Sequence, residues 1–329
     1  MRRTRRTRRG AGALLAVGAL LGLALQTTPA SADSGDTTPG SAIPKAAQER
    51  AAGQWTADRM RAATPVEDLL DIGTRAVERA GKAVPRGDEL KIPPLDTDAV
   101  TKALPEPGGP WSGGGDVVKT SGRVFFKFDG RDASCSGDAV TSDNGSTVIT
   151  AGHCVKYQGK WHTDWVFVPG YHDGEAPHGK WTASKTLTTP QWEASEDMNF
   201  DVGAAVVNPL DGKKLTDVVG GQGLSFNADY NTKMYAFGFP AADPYDGEKL
   251  IYCSGTTFQD VLLTKDHGLS CNMTGGSSGG PWFTEFDEAS GKGLQASVNS
   301  FGYTFLPDTM FGPYFGEDAK KLYETAQAS

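Results

Sequence analysis

Gly275-Gly276-Ser277-Ser278-Gly279-Gly280-Pro281 sets two serines inside a run of glycines that a proline closes. Glycine lacks a Cβ, so such a run turns sharply and lets backbone approach a ligand closely. A serine held on that turn presents its hydroxyl. The amides beside it can converge on one point and stabilise an oxygen that becomes negative. The same composition suits a plain polar turn, so the reading depends on what else the chain supplies.

It supplies a base and an acid. His153 sits in Thr150-Ala151-Gly152-His153-Cys154, at the end of a β-branched run. Imidazole is the side chain best matched to taking a proton from a serine near neutral pH. Asp201 sits in Asn199-Phe200-Asp201-Val202-Gly203-Ala204-Ala205-Val206-Val207, at the lip of an apolar strand. A carboxylate there is costly to bury without a partner, and it can accept the other N–H of the imidazole. Asp197 precedes the strand and reads as solvated. Taken singly, a strand-end histidine and a turn carboxylate are structural residues; the three together in the order His153, Asp201, Ser278 point to nucleophilic catalysis.

Around these residues the chain of 329 residues, 42 of them Gly, reads as strands and turns. Gly122–Phe128, Trp165–Val168, Val202–Val207, Lys233–Phe239 and Leu294–Phe301 are apolar and β-rich. Asp143-Asn144-Gly145 is a hairpin signal between Asp138–Ser142 and Thr147–Ala151. Glu317–Ala326 has helical spacing and closes the chain. Residues 1–32 read as an export signal: six arginines, an apolar run from Ala11 to Leu25, and Ala30-Ser31-Ala32 before cleavage. Sec-type export fits better than a twin-arginine route. Residues 33–115 read as a removable propeptide in preference to a mature N-terminal arm, with one or two helices over Lys45–Ala83 and a Pro/Gly-rich linker over Pro105–Gly115. The chain carries −8, and losing the six arginines of 1–32 leaves −14; nucleic acid is therefore excluded as a partner. The apolar run is too short to favour a membrane span. Cys135, Cys154, Cys253 and Cys271 suit two disulfides in an exported chain, with three possible connectivities. No Cys-x-x-Cys pair supports zinc.

Thr-Ala-Gly-His-Cys, Asp-Val-Gly-Ala and Gly-Ser-Ser-Gly-Gly-Pro, in that order, resemble the motifs of the chymotrypsin/trypsin-like serine peptidases. With the export signal and pro-segment, the resemblance is to the bacterial secreted branch and its glutamyl-endopeptidase-like relatives. It covers residues 116–329. The resemblance implies an all-β fold of two six-stranded antiparallel β-barrels with the site in the cleft between them. It implies Ser278 as nucleophile, His153 as general base and then acid, Asp201 as orienting carboxylate, and the amides of Gly276 and Ser278 as oxyanion hole. Ser277 fits the motif less well as nucleophile. The resemblance pairs Cys135 with Cys154, a bridge stabilising by roughly 3 kcal/mol in the chain-entropy model, and Cys253 with Cys271.

Asn272 falls at the base of the implied specificity pocket, Ser300-Phe301-Gly302 on the strand that pairs with substrate backbone, and Gly302 and Gly312 on open pocket walls. A neutral Asn272 argues against strict Arg/Lys cleavage. Asn299 stands where glutamyl-specific relatives carry a histidine, so strict Glu specificity is not expected either; a medium or large uncharged residue is. Many family members have an aspartate before the nucleophile, which pairs with a newly freed N-terminus. Ser277 carries no charge, so activation without that ion pair is expected, the pro-segment blocking the cleft or assisting folding instead.

The sequence therefore predicts a secreted serine endopeptidase, a monomer acting on protein or peptide substrates, with no cofactor and no catalytic metal. His162, His172 and His178 read as solvated loop histidines, and Asp243, Asp246 and Glu248 match no recognised calcium loop. The serine stretch also satisfies Gly-x-Ser-x-Gly of the α/β-hydrolases, which place histidine after serine; here every histidine precedes Ser278. The subtilisin order, aspartate before histidine, lacks the flanking patterns. The alternative from another class is an inactive secreted binding protein on a peptidase scaffold.

Overall fold

Asp129 and Gly130 both take positive φ (48° and 77°) and make a two-residue turn, the geometry that matches the twist of paired strands. The turn joins Ser121–Phe128 to Arg131–Ala139. A computed structural model describes residues 38–70, 84–94 and 106–329. The expected export signal, the helix end over 71–83 and the stretch 95–105 lie outside these residues. From Arg131–Ala139 the antiparallel pairing passes to Thr147–Thr150, Gly203–Val207, Trp181–Thr188, Thr163–Pro169 and back to Ser121–Phe128. The ladder closes into a six-stranded antiparallel barrel. Val124, Phe126, Val148, Trp165, Phe167 and Leu187 are buried in its core.

The Asn144-Gly145 signal marks a longer loop rather than a tight hairpin. Strand pairing stops at Ala139. Of the pair only Gly145 takes positive φ, at 63°. Asn144 Oδ1 accepts from Ser142 Oγ, the Ser146 amide and Thr147 Oγ1 at 2.9–3.0 Å, so the side chain builds the turn.

In the second half, Gly223–Phe226, Lys233–Gly238, Ile251–Thr256, Pro281–Asp287 and Lys292–Val298 form a sheet that Leu90–Ile92 and Glu106–Pro110 extend to seven strands. Gly223–Phe226 runs parallel to Lys292–Val298; the other pairs are antiparallel. Phe258–Gln259, His267–Ser270 and Thr309–Gly312 form a separate three-stranded sheet. Cys135–Cys154 and Cys253–Cys271 are both joined, one bridge in each half. The closing helix, Glu317–Gln327, buries Ala319, Leu322, Tyr323 and Ala326, one stripe at helical spacing.

Residues expected to be propeptide and linker are built into these sheets. Gly40–Ala42 adds a strand to Trp181–Thr188. Three helices follow, Lys45–Gln54, Ala57–Arg61 and Val66–Leu69. Trp55 is fully buried, its ring 5.4 Å from Phe125, and its Nε1 donates to the Asp164 carbonyl at 2.7 Å. Arg59 holds Asp132 with two bonds of 2.5 and 2.7 Å. Thr64–Pro65 lies parallel to Ala133–Ser134. Within the stretch read as a linker, Glu106–Pro110 pairs with Ile251–Thr256. Trp111 stands edge-on to Tyr235, Phe237, Tyr252 and Phe286. Glu248, weighed for calcium, accepts from Tyr171 Oη at 2.8 Å and lies 3.6 Å from the buried Arg123 guanidinium.

Asp138 is fully buried in the barrel. Ser121 Oγ donates to its Oδ1, while Oδ2 has no hydrogen-bond partner among the described residues. Burial pushes its carboxyl up to about 8 against the pull of the Ser121 and Thr120 hydroxyls. Between the ordinary aspartate value and about 8 the folded chain keeps a proton that the unfolded chain has lost, so stability falls as pH rises through that window. The slope is at most about 1.4 kcal/mol per pH unit. Asp138→Asn should flatten the decline, measured as melting temperature from pH 4 to 8; an unchanged profile would reject the assignment.

Candidate active site

The strand Thr147–Thr150 ends in the 3-10 turn Gly152–Cys154, which carries His153. Gly152 allows the approach: a Cβ there would stand 2.9 Å from both Asp201 Oδ1 and the Trp192 ring. Asp201 follows a second 3-10 turn, Met198–Phe200. Asp197 caps that turn, accepting from the Asn199 amide. It is buried at 2% exposure rather than solvated, because the cap carries it inside. Asp201 Oδ1 accepts from the His153 amide at 2.8 Å. Its Oδ2 takes the Ser300 hydroxyl at 2.5 Å and His153 Nδ1 at 2.7 Å. A carboxylate only accepts, so Nδ1 carries the proton and Nε2 faces the site.

His162 supports this turn from behind. Its Nε2–H donates to the His153 carbonyl at 2.8 Å, and its ring stacks on Phe126 at 4.3 Å. It is buried rather than a solvated loop residue, and that burial pulls it down to about 4.

Ser278 sits on the glycine loop, with Gly276 and Gly279 at φ 92° and 80°. The Gly275 carbonyl accepts from the Ala241 amide at 2.7 Å, which turns the Gly276 N–H the opposite way. Ser136 pins the loop to the barrel: its amide donates to the Ser278 carbonyl and its hydroxyl to the Gly276 carbonyl, at 2.7 and 2.9 Å. Asn299 Nδ2 donates to the Ser277 and Phe237 carbonyls at 3.0 and 2.8 Å. Ser277 Oγ is turned away onto the Thr274 carbonyl. Ser278 Oγ points to the Ser300 carbonyl at 3.4 Å rather than to the imidazole.

A cleft of about 410 Å³ opens beside Ser278. Asn272, Ser300, Phe301 and Gly302 line it, with Met273, Tyr303 and Met310. Asn272 Oδ1 is engaged by Tyr245 Oη at 2.7 Å, and the amide is covered by Gly108, where a Cβ would come within 1.8 Å. Gly312 is not among the lining residues; its missing Cβ leaves room for the Val298 carbonyl instead.

Two features escaped the sequence. Ser136 looks like any strand serine. Glu67, on the short helix Val66–Leu69, reaches the same point as the loop: Gly276 N–H donates to its Oε2 at 2.8 Å, and its Oε1 lies 3.9 Å from His153 Nε2. Burial alone would lower His153; Asp201, and after it Glu67, more than offset this and push it up to about 10. Residues 67 and 276 are 209 apart, with no local pattern to join them.

A buried histidine–carboxylate pair beside a serine on a tight glycine loop, on a closed β-barrel, is the layout of a serine peptidase of the chymotrypsin type. The comparisons agree. The protease Anisep from Arthrobacter nicotinovorans is 45% identical, with a TM-score of 0.62, over 65% of this chain and 98% of its own. The thermostable serine protease AL20 from an extremophilic microorganism is 40% identical, with a TM-score of 0.61, over 65% and 99%. This chain belongs to their family, the bacterial chymotrypsin-like serine peptidases. A Glu endopeptidase, 16% identical with a TM-score of 0.54 over 68% and 97%, shares the fold. No family model matches the chain. An extracellular metalloprotease of Bacillus subtilis (strain 168) is 34% identical over 82 residues, so this chain spans about a quarter of the length of that curated relative. Among the described residues, Cys135, Cys154 and His153 lie close enough to share an ion. The two sulfurs are bonded to each other and do not fit a metal.

Proposed function

We propose that this protein is a secreted serine endopeptidase that cleaves peptide bonds through His153, Asp201 and Ser278. The observation that carries the reading is the buried 2.7 Å bond from His153 Nδ1 to Asp201, which fixes the imidazole with Nε2 facing the serine loop. In the reaction, Ser278 Oγ turns to Nε2 and gives up its proton as it attacks the scissile carbonyl. The tetrahedral oxygen anion is held by the amides of Gly276 and Ser278. The imidazolium, stabilised by Asp201, then protonates the leaving amine, and water releases the acyl group by the same route. Ser300 holds Asp201 in place through its hydroxyl, while its carbonyl lies in the segment that pairs with substrate.

Two disulfides support an extracellular site of action. Among the described residues no helix is long and apolar enough to cross a membrane. The export signal over 1–32, a propeptide within 33–115 and action as a monomer belong to the same proposal. Apolar walls from Met273, Phe301, Tyr303 and Met310 support a medium or large uncharged residue before the scissile bond. A fluorophosphonate probe applied to protein recovered from the medium of a secreting host should attach to Ser278 and not to the denatured chain. A peptide library cleaved by the same sample should then favour Leu, Met or Phe. Absence of label would support the inactive binding protein; strict cleavage after Arg or Lys would assign the charge selection to exposed Asp308 on the cleft.

A further inference from the structure

Glu67 occupies the position that the mechanism reserves for substrate. The Gly276 amide, aimed by the Gly275–Ala241 bond, has its hydrogen on Glu67 Oε2 at 2.8 Å. The other carboxylate oxygen is 3.9 Å from His153 Nε2, which has no hydrogen-bond partner among the described residues. Ser278 Oγ, which would bond to that nitrogen in a working site, is on the Ser300 carbonyl. Pro65 packs over Gly275, its Cβ 3.2 Å from where a Gly275 Cβ would stand, and Leu70 lines the cleft beside Asn272, Phe301 and Tyr303.

We propose that Glu67 is a tethered ligand of the oxyanion hole, so that the segment 64–70 holds the full chain inactive until it withdraws. This rests on the peptidase reading of the site. A carboxylate is a planar anion with its charge on oxygen. It offers the amide the charge that otherwise develops only in the transition state, and offers the imidazole a counter-ion. Its carbon bears no leaving group, so the plug is not consumed by the enzyme it blocks. The segment is aimed by contacts outside the site. Thr64–Pro65 is laid along Ala133–Ser134, next to the disulfide residue Cys135, and Arg59 and Trp55 anchor what precedes it. Blocking the cleft, one of two roles open to the pro-segment from sequence, is thereby given a residue and a chemistry.

The test compares full-length protein as wild type, Glu67→Ala and Glu67→Gln, each given short pulses of fluorophosphonate probe. Wild type should label slowly, Glu67→Ala at least ten times faster. Glu67→Gln keeps the shape but loses the charge, and should fall between. It also serves if the alanine variant folds poorly. In a Ser278→Ala background, the His153 ring should titrate lower with Glu67→Gln than with Glu67, a shift that a purely structural residue would not cause. Equal labelling of wild type and both variants would overturn the plug and leave the peptidase reading standing. No labelling in any form, including wild type digested until residues 38–70 are gone, would overturn both.

Discussion

Ser278→Ala in the activated protein should lower kcat by about a millionfold, with melting temperature little changed. His153→Ala should cost about as much, and the double variant no more than either alone, because a base without a nucleophile has nothing to activate. Asp201→Asn should cost about ten thousandfold. That carboxylate accepts hydrogen bonds from His153 Nδ1–H, the His153 amide and the Ser300 hydroxyl. An amide in its place can present a donor to Nδ1 and so favour the tautomer with its proton on Nε2, where the base must accept. The measurement is turnover of a chromogenic peptide with an uncharged residue before the bond. Losses of only a few-fold at Ser278 would mean that the reaction runs elsewhere.

The largest expected effect on stability is at Gly279. Its φ is +80°, and a Cβ would fall 2.1 Å from Thr150 Oγ1 and 2.4 Å from the Ser136 carbonyl. One of these is backbone and cannot step aside. Gly279→Ala should therefore cost about 3 kcal/mol or more, the left-handed penalty and overpacking together. Because Gly279 follows Ser278, the proposed nucleophile, activity should fall further than the fraction unfolded explains. Gly130→Ala is the control: its φ is +77°, but none of the described residues lies within 4 Å of its missing Cβ. Only the backbone term applies there, about 1–2 kcal/mol. Similar losses at both positions, read from denaturant midpoints, would show that crowding is not the cause.

The peptidase body was legible because its signals are local. Alternating apolar strands, the His153 and Asp201 phrases and the glycine loop each occupy a few consecutive residues. The closing helix was legible too, since its buried stripe follows one period. What was missed depends on pairing across the chain. Nothing in Glu106–Pro110, with two prolines and two glycines, announces a strand; Ile251–Thr256 beside it supplies the partner. Asp129-Gly130 is the tight hairpin turn, while the stronger-looking Asn144-Gly145 serves a longer loop through its side chain. His162 and Asp197 look solvated in sequence because burial is set by what folds over them. Glu67 is the extreme case: a carboxylate in an ordinary short helix becomes notable only when the fold sets it against Gly276.

Trp55, Arg59 and the strand Gly40–Ala42 bind the first barrel through surfaces remote from Ser278. While the chain is continuous, these contacts work at the fixed local concentration that a covalent tether imposes. A cut between residues 70 and 106 would leave every one of them intact, yet turn a unimolecular equilibrium into a bimolecular one. The severed piece would then let go at a rate set by its own contacts and rebind at a rate set by how much of it remains nearby. Dispersal into a large volume, rather than the cut itself, would become the step that sets when the site opens.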